Sequence, residues 1–450
     1  MAKRIASASM ICKLFAVAAI LALLSFATPA TDALAATAKP GASCIKLNQQ
    51  VVVNYIKLKC LKSGTKKVWK RIGSVPRPPA KPSPTPNPTN PIEFDQSSAP
   101  AAQCKLPHEA YRGDVQSGWP RNPDRIAPIG NITYAMLFVD FASTPATQTP
   151  QSVHALVSPM SEQEFSEQSS GKLTMRYEPY FNWLRLTSPP SSYDLRTFDG
   201  HRKLIAEAIA AADANFDFSK VDGVVVMTDP NNSPLVNGPA LTAPRGLGIW
   251  ADGKEILNGT NSGADFKYWG YRWANHEISH NFGLPDLYAY NSNTQLSAHR
   301  FVGDFSYMGL INGSAPGLTG WERWTLNWLT DAQLLCDPKL GQKFKLSPLA
   351  GDAGTRMSVL RLSRTRALVL EYRTKAGMDV RMSDSGILAY VVDTSIASGD
   401  GTIQVIPEQV AAHATPASAL YEVGDPITFE GRTFKIISMD ATSAGIQLVK

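Results

Sequence analysis

Tyr268-Trp269-Gly270-Tyr271-Arg272-Trp273-Ala274-Asn275-His276-Glu277-Ile278-Ser279-His280-Asn281-Phe282-Gly283-Leu284-Pro285-Asp286 is the stretch on which the reading of this chain turns. His276 and His280 are four apart, so on a helix both leave the same face and can grip one metal ion. Glu277 sits about 100° round that helix, beside the ion, where a carboxylate can take a proton from water. Ile278 and Phe282 supply the core-facing side. Gly283 stops the helix, and Leu284-Pro285 imposes extended geometry that can swing Asp286 back towards the metal. At this chain's composition the HExxH pattern is expected by chance about 0.003 times.

Outward from this segment the pattern is α/β. Tyr134 to Phe141 and Asp222 to Met227 read as buried strands. His201 to Asn215 has helical spacing, so the order is strand, helix, strand with a partly parallel sheet. After Cys336 come short alternating runs, Ser358–Leu362, Ala367–Tyr372, Ile387–Val392, Thr402–Ile406, Phe434–Ile437 and Ile446–Val449, with Gly, Asp and Pro between them. They predict an all-β domain of the sandwich or jelly-roll kind.

The segment HEISHNFGLPD resembles the long zinc signature HExxHxxGxxD of metzincin-like peptidases, with aspartate at the third ligand position as in the immune inhibitor A-like secreted metallopeptidases. Further similarities are spread over residues 100–450. They are Leu137-Phe138-Val139-Asp140-Phe141, Ser169-Ser170-Gly171-Lys172-Leu173 with Trp183, and Asp222-Gly223-Val224-Val225-Val226, where Val221 departs from the family's tyrosine. Phe305-Ser306-Tyr307-Met308-Gly309 is similar to a methionine turn, and Gly320 to Leu329 to the helix after it. Leu370-Glu371-Tyr372-Arg373 and Gly386-Ile387-Leu388-Ala389-Tyr390 also fit. The resemblance implies an α+β fold: a metzincin-like zinc peptidase domain, with a mixed sheet and an active-site helix, followed by an all-β sandwich or jelly-roll-like domain. It implies one catalytic zinc on His276, His280 and Asp286, with Glu277 as general base and Met308 as a floor under the ion.

Asp304, just ahead of Met308, is the second candidate for third ligand. Tyr288, Tyr290 and Tyr307 are candidates for stabilising an oxyanion, and the sequence does not choose among them. His108, His154, His201, His299 and His413 lack partners at ligand spacing. Trp269, Tyr271, Trp273 and Asn275 are expected to pack the site helix against the sheet. Calcium is a second ion that such a protein can carry, but no residue pattern here assigns it. There is no GxSxG elbow and no phosphate-binding glycine loop, which argues against serine hydrolase and nucleotide-dependent chemistry.

The chain's 450 residues exceed one compact core. Lys3, Arg4 and Lys13 precede or open the apolar stretch Leu14 to Phe26, and Ala33-Leu34-Ala35 follows it. This order predicts a secretory signal peptide over 1–35 and a secreted or cell-surface protein. The run falls short of a ~20-residue membrane span. The four later cysteines, Cys44, Cys60, Cys104 and Cys336, then read as cystines with three possible pairings; 44–60 is the local choice, and 104–336 would follow from it. A free Cys104 thiol capping a metal is the alternative.

Residues 1–92 hold 14 Lys/Arg against Asp32 alone, a balance of +13; the whole chain carries +6, so the remainder carries −7. A small basic two-cysteine module is expected over 36–74, where Val51 to Val53 and Tyr55 to Leu58 read as two short strands. It resembles short modules near the N-termini of exported actinobacterial proteins. Its charge suits an anionic surface such as cell-wall polymer. Eight prolines in residues 75–91 mark a semi-rigid spacer. The expected division is therefore signal 1–35, module 36–74, Pro-rich linker 75–100, zinc peptidase 101–335 and β domain 336–450. The expected function is a secreted zinc endopeptidase acting on protein or peptide substrates, with no nucleic-acid partner. The competing function is a catalytically inactive, peptidase-like protein that binds the cell surface.

Overall fold

A computed structural model of the chain describes residues 42–53, 56–74, 92–111, 113–407 and 415–450. The expected signal peptide, residues 36–41, the proline-rich run 75–91 and His413 lie outside the described residues. Contacts divide the chain into two units, Met1–Pro91 and Ile92–Lys450.

The first unit is a three-stranded antiparallel sheet, β1 (Gln50–Val53), β2 (Ile56–Ser63) and β3 (Lys66–Ser74), one strand more than the sequence suggested. Gly64, at φ 62°, and Thr65 turn β2 into β3. Its core is small: Leu58, Cys60 and Trp69 are buried, with Ala42, Cys44 and Val51 against them. So small a core needs a staple, and the Cys44–Cys60 bond supplies it.

The second unit starts at Ile92, not at residue 101. Residues 92–100, placed with the linker on composition, lie along the body: Asp95 N–H donates to Lys343 O at 2.7 Å and Ala99 N–H to Cys336 O at 3.0 Å. Its first sheet holds β4 (Gly130–Phe141), β5 (Leu173–Leu186), β6 (Gly223–Met227), β7 (Ala240–Thr242) and β10 (Asn258–Asn261), in the order β5-β4-β6-β10-β7. A hairpin, β8 (Ile249–Ala251) and β9 (Lys254–Ile256), stands between β7 and β10 in sequence. All pairings in the five-stranded sheet are parallel except that of the edge strand β7 with β10. The helix Phe198–Ala212 buries Leu204, Ile205, Ala208 and Ile209 against one face of this sheet. On the other face the helices Met160–Gln168 and Tyr271–Asn281 contribute Phe165, Trp273, Ala274 and Ile278 to the largest core.

Beyond Leu334 two further sheets form. One holds β11 (Leu334–Cys336), β13 (Met357–Arg361), β14 (Arg366–Arg373), β15 (Gly386–Asp393), β16 (Ile403–Val405) and β17 (Leu420–Tyr421). The other holds β12 (Lys343–Leu346), β18 (Pro426–Phe429), β19 (Arg432–Met439) and β20 (Ala444–Leu448). Side chains of the larger sheet alternate. Leu360, Leu368, Leu370, Ile387 and Ala389 share a core with Phe344, Phe434, Ile436 and Ile446 of the smaller sheet. Val359, Val369, Tyr390 and Ile403 face the other way, joining Trp321, Trp324 and Trp328. Both faces are thus buried, so these strands carry apolar residues at successive positions and not only at the alternate ones that the sequence reading expected. It also means that the core runs unbroken past residue 336, so the expected seam there is not a seam in the packing. Cys104 and Cys336 are bonded with Cα atoms 5.9 Å apart. Closing so long a loop stabilises by up to about 5 kcal/mol on the chain-entropy account.

Candidate metal centre

The helix Tyr271–Asn281 is pinned on three sides. Trp273 Nε1–H donates to Gly238 O at 2.8 Å, and Asn281 Nδ2–H to Leu241 O at 3.0 Å, tying it to the end of the sheet. Asn275, expected to pack on that sheet, turns instead to the helix Met160–Gln168. Its Nδ2 donates to Glu164 Oε1 at 3.1 Å, and Glu164 also accepts from Tyr271 Oη and Arg272 Nε. The helix ends where Gly283 takes φ 99°, a conformation that L side chains rarely adopt. The chain then reverses, and Asp286 returns to the two histidines as the Gly-x-Pro spacing suggested.

His276 Nε2 lies 3.0 Å, and His280 Nε2 3.3 Å, from one and the same oxygen, Asp286 Oδ1. The far side of each ring is fixed by the backbone. His276 Nδ1 is 2.9 Å from Tyr307 O, and His280 Nδ1 is 2.7 Å from Leu284 O. A carbonyl oxygen only accepts, so each Nδ1 carries its proton and each Nε2 is aimed inward. Two inward nitrogens facing one carboxylate oxygen are satisfied by a proton on each or by one cation between them. Two imidazoles and a carboxylate, with both Nδ1 protons anchored behind, are a fitting donor set for zinc. The charges agree: burial alone would depress His280, but Asp286 overrides it and holds the ring up to about 9. His276 is raised for the same reason, and the two imidazoles in turn keep Asp286 far below the usual carboxylate range despite its burial.

Glu277 Oε1 is 4.0 Å from His276 Nε2. Its burial pushes the carboxyl up to about 7, partly opposed by the two imidazoles. All these groups open into one cleft of about 580 Å³. The edge strand β7 forms part of its wall, with Gly238, Pro239, Ala240 and Thr242 lining it.

The other sequence candidates part company. Asp304 accepts from Ser314 Oγ at 2.6 Å and does not line the cleft. Tyr307 is fully buried with its hydroxyl 2.9 Å from Ser279 Oγ, so its contribution to the site is its carbonyl. Met308 is fully buried in the core, and its carbonyl accepts from Leu287 N–H at 2.9 Å. Tyr290 donates its hydroxyl to Asp286 Oδ2 at 2.6 Å. Tyr288 lines the cleft, its ring centroid 6.2 Å from that of His276. His154 and His201 are not in the cleft; His299, left among the ordinary histidines, lines it with Nδ1 2.7 Å from Gly309 O. Cys104 and Cys336 stand beside Asp337, but their sulfurs are bonded to each other, so no thiol is left to cap a metal. Ser398 lines the cleft from the β15–β16 loop, and sequence reading missed it because no motif announces it. No protein-family model matches the chain, and no curated protein matches it at a significant level.

Proposed function

We propose that this protein is a secreted zinc endopeptidase. The observation that carries the reading is the convergence of His276 Nε2, His280 Nε2 and Asp286 Oδ1 in a cleft, with Glu277 Oε1 4.0 Å from His276 Nε2. His276, His280 and Asp286 would hold the ion, which when bound supplies Lewis-acid polarisation of a carbonyl and acidification of water. Glu277, with a carboxyl near neutrality in its affinity for protons, takes the proton of the attacking water and delivers it to the departing amine. Tyr288, which lines the cleft with its ring centroid 6.2 Å from that of His276, is assigned to donate a hydrogen bond to the developing oxyanion. Ala240 and Thr242 of the edge strand β7 line the cleft, which suits an extended peptide adding as a further strand. A peptidase-like binding protein has no use for a buried carboxylate poised beside the ligands, so the catalytic reading is preferred to that alternative.

For the small unit we propose contact with an anionic surface such as cell-wall polymer. Lys59 stands opposite Lys70, and Lys62 opposite Lys67, in the β2–β3 ladder. Like charges so placed are destabilising, and residues 42–74 contain no acid to relieve them.

The test of the catalytic reading is hydrolysis of a broad peptide library by the purified protein with and without chelator, and by Glu277→Gln. Loss of the general base is expected to lower the rate roughly 10²–10⁴-fold while zinc is retained. Equal activity in the variant, or no hydrolysis by the unaltered protein, would overturn it.

A further inference from the structure

Asp286 is held in place by a loop more than a hundred residues away. Asp286 N–H donates to Ser398 Oγ at 2.9 Å, and Tyr290 Oη donates to Asp286 Oδ2 at 2.6 Å. Ser398 Oγ and Tyr290 Oη are 3.0 Å apart. Tyr290 has one proton and gives it to the carboxylate, so the Ser398 hydroxyl must donate to the Tyr290 oxygen. The three groups close a ring in which every proton has one destination. It leaves Oδ1, the oxygen that faces the two imidazoles, outside the ring. The backbone repeats the clamp, with Gly399 N–H to Asp286 O at 3.2 Å and Tyr290 N–H to Gly399 O at 3.1 Å. Gly399 sits at φ 78°, and a Cβ there would lie 2.3 Å from Tyr290 Cγ. So the loop between β15 and β16 is fitted to the Asp286–Tyr290 segment at backbone distance.

We infer that Tyr290 and Ser398 are positioning residues for the third ligand, and that the C-terminal β region is thereby a working part of the metal centre. The inference rests on the zinc reading above. Hydrogen bonds behind a ligating carboxylate orient it, and their loss typically lowers metal affinity 10–100-fold. Because the two hydroxyls act through one ring, their effects on affinity are coupled, not additive.

The experiment is zinc affinity by chelator competition on the full chain, with thermal unfolding of the zinc-free protein alongside. The set is the unaltered protein, Tyr290→Phe, Ser398→Ala, Ser398→Thr, the Tyr290→Phe/Ser398→Ala double variant, and His276→Ala as the control. Tyr290→Phe is expected to weaken zinc binding roughly 10–100-fold with the fold intact. Ser398→Ala should weaken it less, Ser398→Thr should restore it, and the double variant should fall short of the product of the singles. Should Tyr290→Phe fail to fold, the Ala-against-Thr contrast at Ser398 decides the matter alone. Zinc affinity unchanged in Tyr290→Phe and Ser398→Ala, with His276→Ala still losing the ion, would overturn this inference and leave the zinc reading standing. An unaltered protein that binds no zinc would overturn both.

Discussion

The two sides of the candidate metal centre are held in different ways. On the helix side, His276 and His280 are oriented by main-chain carbonyls, Tyr307 O and Leu284 O. On the other side, Asp286 is oriented by the side chains of Tyr290 and Ser398. A carbonyl survives any substitution that keeps the fold, whereas a hydroxyl is lost with one. The imidazole side is therefore resistant to mutation around it, and the carboxylate side is where affinity can be tuned. The difference also separates what is local from what is not. Leu284 O lies at the end of the helix that carries His280 and Tyr307 O 31 residues on from His276, while the carboxylate draws on the still more distant β15–β16 loop.

The largest effect that can break this contrast is at the ligand itself. Asp286→Ala should lose stoichiometric zinc and hydrolysis together, while Asp304→Ala, which removes the acceptor of Ser314 Oγ, should keep both. Elemental analysis of the two variants checks this, and the reverse pattern would move the third ligand to Asp304. A smaller effect is expected on the imidazole side. Tyr307→Phe removes the hydroxyl near Ser279 but leaves the carbonyl that orients His276. It should cost roughly 0.5–1.5 kcal/mol of stability with zinc affinity unchanged. Met308→Leu, a near volume-conserving change at a buried position, should cost under about 1.5 kcal/mol and likewise spare the ion. Denaturant unfolding and chelator competition measure the two quantities separately. A marked loss of zinc affinity in either variant would erase the distinction between the two sides. The smallest effect belongs to the first unit. Limited proteolysis should cut first within residues 75–91, because eight prolines in that stretch predict an extended spacer. The fragment beginning near Ile92 should hydrolyse small peptides as the full chain does, since among the described residues no ligand candidate or cleft residue lies before it. Early cuts within residues 130–330 would contradict the division.

How much of this was legible follows the same line. The helix, its two histidines, Glu277 and the return of Asp286 after Gly283 were readable because their physics is a matter of spacing within a few turns. The strands Met357–Arg361, Arg366–Arg373 and Gly386–Asp393 were readable to within a residue or so from short runs set off by Gly, Asp and Pro, although the alternation expected in them gives way to burial on both faces. Leu173–Leu186 was not, because an edge strand buries only alternate residues such as Leu173, Met175 and Tyr177 and looks half polar. Residues 92–100 were placed with the spacer on composition, but their backbone is taken up by Cys336 and Lys343. Ser398 carries no signal at all, and Tyr290 was readable only as one of three oxyanion candidates: their role behind Asp286 exists only once the β15–β16 loop has been folded against it.

The most direct test of the central claim is a crystal structure of the zinc-loaded protein with anomalous scattering measured at the zinc edge. The account predicts one strong peak per chain, at about 2.0–2.1 Å from Nε2 of both His276 and His280 and about 2.0–2.2 Å from an Asp286 oxygen. Glu277 should stand beside it, unbonded. No peak in the cleft, or a peak held by Asp304 in place of Asp286, would contradict it.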